Sequence, residues 1–315
     1  MNQQTNSVSP SFRITAMMIA VVFLWGINVV MLKYLTNFFP PLALAGIRMV
    51  LAALFLLPAA FYPGGWQPVP RAAWGPICGV ALFNIFLHQI TLSWGVNATS
   101  ATHASLILAL NPLFTTLVAS RTVDEPLTWN KVAGIVLGLS GVLFIVTNKT
   151  DAGQATLLGD GVMLMAMLVY VAGSLCVKKG AQHARPLVIT VYSHIVAAPF
   201  LVALGWVVNP VWMYDGALQP WPIAVLLFSS WISTALGAVL WNTGIHRIGA
   251  STASLFLNGQ PVVGLFASAF FLNEQLVWQH YLALVLVLVA VTLGTGTHAK
   301  WRKQNIEKKE GQEAI

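Results

Sequence analysis

Apolar and polar positions follow one another along the chain in long blocks, and short polar connections separate apolar runs of about twenty residues. A run of that length crosses the hydrocarbon core as a helix, because a helix satisfies its own backbone hydrogen bonds in lipid. The alternating ten-residue strands of a membrane barrel are not part of the pattern. The sequence therefore predicts ten membrane-spanning helices, at about 14–35, 41–62, 74–94, 101–120, 129–147, 159–178, 186–207, 222–245, 250–272 and 278–298.

Composition agrees with this pattern. Hydrophobic residues make up 57% of the chain, charged residues only 8%, and the mean hydropathy is +0.76, whereas soluble domains carry roughly 25% charged residues. The formal net charge of +7 does not build a basic face, because the positive residues stand singly between apolar runs. The expected environment is the lipid bilayer, and nucleic acid is not an expected partner.

The positive residues indicate the orientation. When both termini are placed in the cytoplasm, thirteen of the sixteen Lys and Arg residues fall on the cytoplasmic side, and only Lys33 and Lys149 fall outside. Arg48 lies within a span. This bias favours cytoplasmic termini. The first apolar run is too long for the apolar region of a signal peptide and is interpreted as the first span.

The chain contains an internal repeat. Segment 95–112 (GVNATSATHASLILALNP) matches 244–261 (GIHRIGASTASLFLNGQP) at seven of eighteen positions, with an offset of 149. Each half then holds five spans, and an odd number makes the second copy enter the membrane from the opposite face, as in many secondary transporters. The predicted fold is an all-α integral membrane protein with two inverted five-helix repeats around a central cavity. The predicted parts are a cytoplasmic tail at 1–13, repeats at 14–147 and 159–298, and a charged cytoplasmic tail at 299–315.

Several motifs carry a family resemblance. They are WGINVVMLK in the first span, PPLALAGIRMVLAALFL with Arg48 in the second, WGVNATSATHASLI, the prolines Pro112 and Pro261, and the pair EPLTW and EQLVW. With them the chain resembles, over about 14–298, the EamA family of ten-span carriers in the drug/metabolite transporter superfamily. The resemblance implies a cavity formed by spans one to four and six to nine, and export of small metabolites, often amino acids or their relatives. The expected location is the bacterial inner (plasma) membrane.

Polar side chains inside the spans are the candidate substrate ligands, because such groups normally face a cavity or a partner. Asn28, Arg48 and His88 fall at a similar depth, roughly 10 Å below the outer surface at 1.5 Å per residue. Asn84 lies one turn from His88 on the same face. The Arg48 guanidinium suits a substrate carboxylate. The alternative is that Arg48 is a structural anchor.

The repeated prolines point to the same region. Asn111-Pro112 and Gln260-Pro261 fall near the middle of spans four and nine, where a proline frees the carbonyl four residues earlier. In paired positions of two repeats this predicts gating helices, although a packing kink is the alternative. Trp231, beside several serines, and Asn258, beside the second proline, complete the candidate substrate-binding residues.

Other chemistry is weakly indicated. His88 and His103 are candidates for coupling to protons, with His194 a weaker one. Asp124, Glu125 and Glu274 fall at span ends, so a carboxylate relay at the membrane centre is not predicted. There is no P-loop, HExxH or G-x-S-x-G motif, and we expect no enzyme activity, cofactor or metal. Uptake instead of export, a membrane enzyme acting on lipid and an assembly subunit are the alternatives, and the oligomeric state stays open.

Overall fold

The computed structural model describes residues 12–61, 69–122, 128–147, 155–208, 211–249, 253–254 and 256–294. The predicted tails at 1–13 and 299–315 therefore lie almost wholly outside the described residues. Within the described ranges the regular structure is helical. In a membrane this follows from the need of every backbone N–H and C=O for a partner inside the same segment.

Helices occur at each of the predicted spans. Their bounds are α1 Phe12–Leu35, α2 Pro41–Phe61, α3 Arg71–Ala98, α4a Ala101–Leu108, α4b Asn111–Thr122, α5 Trp129–Thr147, α6 Leu157–Gly180, α7 Pro186–Val208, α8 Pro220–Ile248, α9 Gly259–Leu272 and α10 Trp278–Gly294. Proline is the first residue of α2, α7 and α8, where its missing N–H costs no hydrogen bond.

Seven helices are long and apolar enough to cross a membrane: α1, α2, α3, α5, α6, α7 and α8. Helices α9 and α10 are apolar but shorter. Large apolar side chains cover the outside of the bundle; Phe270, Trp206 and Leu143 are 78%, 72% and 61% exposed. A surface of this kind faces lipid rather than water, and the chain is a multi-pass membrane protein.

The fourth span differs from the continuous helix that the sequence predicts. Helix α4a ends at Leu108, residues 109–110 form a turn, and α4b begins at Asn111 with Pro112 as its second residue. The second repeat has the same break, because residues 257–258 form a turn before α9 and Pro261. The prolines thus lie in the first turn after a break, where a missing N–H is tolerated, rather than in the middle of an unbroken helix.

Helices α3 and α8 each contain a π-helical segment, Ala81–Leu87 in α3 and Phe228–Leu236 in α8. Their first residues are 147 positions apart, close to the offset of 149 in the sequence repeat. A π-helical turn has wider spacing than an α-helix and is frequent at functional sites.

Small residues allow the closest helix pairs. Gly138 of α5 packs against Ala290 of α10, and Gly46 of α2 faces the backbone of Leu201 in α7, 3.3 Å from the position a β-carbon would take. Small residues at such contacts let helix backbones approach in a membrane. Helices α5 and α10 therefore form a pair at one side, and the other helices surround a cavity.

Candidate substrate cavity

A cavity of about 120 Å³ lies between α1, α2, α3, α4a, α4b, α6, α7, α8 and the start of α9, and neither α5 nor α10 contributes to its wall. That volume has room for on the order of ten water-sized groups, which matches a small metabolite. The polar and aromatic part of the wall consists of Trp25, Asn28, Asn84, His88, Gln89, Asn111, Tyr170, Thr190, Ser193, His194, Ser233, Thr234, Trp241, Asn242 and Gln260. Leucine, valine, isoleucine, methionine and alanine side chains supply the rest.

Asn28, Asn84 and His88 line the cavity together. The Oδ1 atom of Asn28 accepts a hydrogen bond of 2.7 Å from the Ser229 hydroxyl. The Nδ1 atom of His88 lies 2.9 Å from the carbonyl oxygen of Ala166. Because a carbonyl can only accept, His88 carries its hydrogen on Nδ1 and, when neutral, presents Nε2 as an acceptor.

Arg48 is fully buried but is not among the residues that line the cavity. Its Nε, Nη1 and Nη2 atoms donate to Ser229 Oγ (3.0 Å), Gln89 Oε1 (3.1 Å) and Thr234 Oγ1 (2.6 Å). All three partners are neutral, so within the described residues the guanidinium charge lies behind the wall without a carboxylate partner. Two of the partners, Gln89 and Thr234, form part of the wall itself.

The two repeated breaks meet at the cavity. Leu108 and Asn111 from the first repeat, and Leu257 and Gln260 at the same positions of the second, all line it. Leu108 and Leu257 are the residues four positions before the prolines Pro112 and Pro261, so their carbonyls are those that a proline cannot bond. In each repeat the proline directly follows a polar residue that lines the cavity, Asn111 before Pro112 and Gln260 before Pro261.

Two predicted binding residues lie elsewhere. Trp231 stacks on Phe55, with ring centroids 5.9 Å apart and planes at 18°, and Phe55 is 40% exposed. The buried serines Ser229, Ser230 and Ser233 occupy the inner side of this π-helical segment, so the indole between them points toward α2 and the outside. Asn258 lies in the turn before α9 and is not part of the wall. Neither side chain is therefore part of the cavity wall in this structure.

Three buried polar atoms of the wall have no hydrogen-bond partner in the part of the chain that the structure describes: Asn84 Oδ1, Ser233 Oγ and Trp241 Nε1. Such atoms are rare in proteins, because each costs free energy when it is left unpaired. The Asn84 oxygen is an acceptor, the indole N–H is a donor, and the hydroxyl can be either. The three residues line the cavity, although in this conformation the unpartnered atoms themselves are buried, and Asn84 Oδ1 faces Gly173 of α6.

Sequence reasoning overlooked Gln89, Thr234 and Asp160. Gln89 follows His88 directly, and its polarity within an apolar run was a usable signal. Asp160, only 5% exposed in the first turn of α6, is easily taken for a helix-capping residue at the membrane surface.

The comparisons with known proteins agree with this architecture. The model of the EamA-like transporter family matches residues 13–147 and again 157–295. The chain is therefore a membrane transporter, and it belongs to the EamA-like transporter family within the drug/metabolite transporter superfamily. The family resemblance found in the sequence is confirmed.

Similar proteins carry transporter names. A "Probable amino-acid metabolite efflux pump" of Escherichia coli (strain K12) is 28% identical over 290 residues, covering 90% of this chain and 94% of the relative. A protein with the same description in Salmonella typhimurium is 27% identical, covering 86% and 91%. The uncharacterized transporter YyaM of Bacillus subtilis is 27% identical, covering 84% and 87%. A solved crystal structure with 16% identity superposes with a TM-score of 0.65 over 90% of this chain and 97% of the other, which shows a shared fold.

Proposed function

We propose that this protein is a secondary active transporter that exports small zwitterionic metabolites, namely amino acids or related compounds, by alternating access. The observation that carries the proposal is the cavity wall, which combines unpartnered donors and an unpartnered acceptor with a large apolar surface. A zwitterion with an apolar side chain needs donors for its carboxylate, an acceptor for its ammonium group and an apolar contact. The neutral wall and the uncompensated charge of Arg48 behind it favour the carboxylate end.

In this proposal the substrate ligands divide by charge. The Ser233 hydroxyl, the Trp241 indole N–H and the amide of Gln260 donate to the carboxylate. Asn84 Oδ1 and the Oδ1 atoms of Asn28 and Asn111 surround the ammonium group with acceptors. Arg48 acts mainly by orienting Gln89 and Thr234, because it lies behind the wall and three of its five N–H groups already donate to neighbouring side chains.

We also propose that the chain crosses the membrane ten times as two inverted repeats, 14–147 and 159–298. Two separate matches of the family model support this division. So does the pattern of contacts: α1 packs on α9 as α6 packs on α4a and α4b, and α2 packs on α8 as α7 packs on α3. In each comparison, replacing both helices of the first pair by the corresponding helices of the other repeat gives the second pair.

Gating then follows from the exchange of the two repeats. The breaks before Pro112 and Pro261 let the halves of spans four and nine move separately, and each break adjoins the cavity. When one repeat takes the conformation of the other, the cavity opens to the opposite side. The distribution of Lys and Arg supports cytoplasmic termini, with the protein in the bacterial inner membrane.

Counterflow in proteoliposomes tests the function. Purified protein is reconstituted with a high internal concentration of one unlabelled amino acid, and uptake of labelled metabolites from a mixed external pool is followed. We expect transient accumulation of zwitterionic amino acids above equilibrium, and none for an assembly subunit. Export is distinguished from uptake in cells: loss of the protein should raise the internal level of the substrate, and a lowered level would indicate uptake. The efflux names of two relatives support export.

A further inference from the structure

A second polar cluster lies where α1 ends and α4a, α6 and α10 begin. The Nδ1 atom of His103 lies 3.2 Å from each carboxylate oxygen of Asp160. The hydroxyl of Thr99 donates to Oδ1 of Asp160 at 2.5 Å. The imidazole and the carboxylate are 2% and 5% exposed, so this contact is buried. It becomes an ion pair when the imidazole is protonated, and a buried charge needs its partner.

The start of α4a is also held by a second carboxylate. Glu274 accepts from the backbone N–H groups of Ala101 (2.8 Å) and Thr102 (3.0 Å) and from the Thr102 hydroxyl (2.6 Å). Lys33, at the end of α1, donates to the carbonyl oxygens of Asn97 (3.2 Å) and Thr99 (2.5 Å). Asp160 and Glu274 belong to the second half of the chain, so they fasten α4a of the first half to the second.

The charge of the cluster depends on one proton. In the described part of the chain, the ionisable side chains that face it are Lys33 from α1, His103 from α4a, Asp160 from α6, Glu274 before α10 and His280 from α10, whose ring centroid lies 6.0 Å from that of His103. With a proton on its imidazole, His103 is the cation of a buried ion pair with Asp160. Without that proton, the Asp160 carboxylate is buried beside a neutral imidazole.

We propose that His103, paired with Asp160, binds a proton from the outer solution, and that loading this site closes the outer end of the transporter. The proposal rests on the proposed function and makes access to its cavity depend on the external pH. The proton adds to the imidazole, which becomes cationic, and the ion pair with Asp160 fastens α4a to α6. On deprotonation the proton returns to the outer solution and leaves the buried carboxylate beside a neutral imidazole, which favours separation of these helices.

Helix α4a connects the proton site to the cavity. His103 lies one and a half turns before Leu108, which forms part of the cavity wall. A movement of α4a at its outer end therefore moves a side chain that lines the substrate site. The break at residues 109–110 allows this movement without displacing α4b. Proton loading and access to the cavity from outside are thus linked through one short helix.

The test measures access to the cavity without any substrate, so its outcome is independent of the counterflow result. Cys78 and Cys176 are replaced by alanine, and a single cysteine is placed at Leu108 in right-side-out vesicles. A membrane-impermeant thiol reagent is applied outside between pH 5 and 8. The same reaction at an Asn97→Cys variant, which is exposed at this end, corrects for the pH dependence of the reagent.

We expect the corrected rate at position 108 to fall as the pH falls, by up to about tenfold per pH unit for one linked proton. In both His103→Gln and Asp160→Asn the corrected rate should be independent of pH. Because the two substitutions lie on different helices, the same result in both cannot be attributed to the misfolding of one variant. His280→Asn should keep the pH dependence. The proposal is overturned if the rate is independent of pH in the parent chain, if the dependence survives in both pair variants, or if only His280→Asn removes it.

Discussion

The contact between Gly173 of α6 and Asn84 of α3 allows a sharp test of the cavity, because α6 contains a matched control. A β-carbon at Gly173 would overlap Oδ1 of Asn84 and would lie 2.9 Å from its backbone nitrogen. The Gly173→Ala substitution must therefore push Asn84 away. Gly161, on the same helix, has no atom within 4 Å of the corresponding position, so Gly161→Ala adds the same methyl group to open space.

The magnitudes follow from these contacts. Alanine in place of a helical glycine stabilises by roughly 0.5–1 kcal/mol, and this is the whole effect expected for Gly161→Ala. For Gly173→Ala, overpacking costs about 1–3 kcal/mol and opposes that gain. If Asn84 accepts from the substrate ammonium, losing that bond costs about 1.5–3 kcal/mol, which is roughly a 10- to 150-fold weaker interaction.

Two assays read these effects separately. Thermal unfolding in detergent compares the stability of the two variants, and counterflow gives KM for the substrate found in the pool. We expect Gly161→Ala to melt slightly higher than the parent protein with unchanged KM, and Gly173→Ala to melt lower than Gly161→Ala with KM raised at least tenfold. If both variants show the same melting temperature and the same KM, Asn84 is not packed against α6 as described, and its role in the site fails.

The remaining predictions concern Arg48, the repeated breaks and the orientation. Arg48→Ala should abolish transport while folded protein stays in the membrane, and Arg48→Lys should restore little transport because one ammonium cannot replace the three-nitrogen guanidinium. Size-exclusion profiles measure folding and counterflow measures transport. Normal transport by the alanine variant would refute the role of Arg48 in the site. Pro112→Ala and Pro261→Ala should shift labelling of cavity cysteines toward opposite sides of the membrane, whereas shifts in the same direction would identify packing kinks. A cysteine at Asp215 should react with an impermeant reagent outside intact cells and one at Asn305 should not; labelling of the latter would reverse the orientation.

Much of the fold was predictable because it depends on local pattern. Apolar length predicts where helices lie, and the four-residue spacing of Asn84 and His88 predicts that both face the same side. The matched depth of Asn28 and His88 also follows from counting residues along helices. These inferences need only helix geometry and the exclusion of polar backbone from lipid, so one sequence suffices.

Other parts depend on contacts between distant residues. The sequence predicts the depth of Arg48 but not its partners, since Ser229 and Thr234 are 181 and 186 positions away. Helical spacing alone puts Trp231 on the opposite side of α8 from Ser229, Ser230 and Ser233, but it does not reveal the contact with Phe55 on a distant helix. The role inferred for Asp160 depends on its contact with His103, 57 positions earlier. Neither helical periodicity nor hydropathy contains such pairings.

The central claim is that the cavity recognises both charged ends of a zwitterion while the bundle carries it across the membrane. Counterflow with matched unlabelled competitors tests it most directly: an amino acid identified as a substrate, its methyl ester, which lacks the carboxylate, and its N-acetyl derivative, which lacks the ammonium group. The account predicts that the zwitterion competes and exchanges, and that each derivative competes at least tenfold more weakly. Equal competition by all three compounds, or no exchange with any of them, would contradict it.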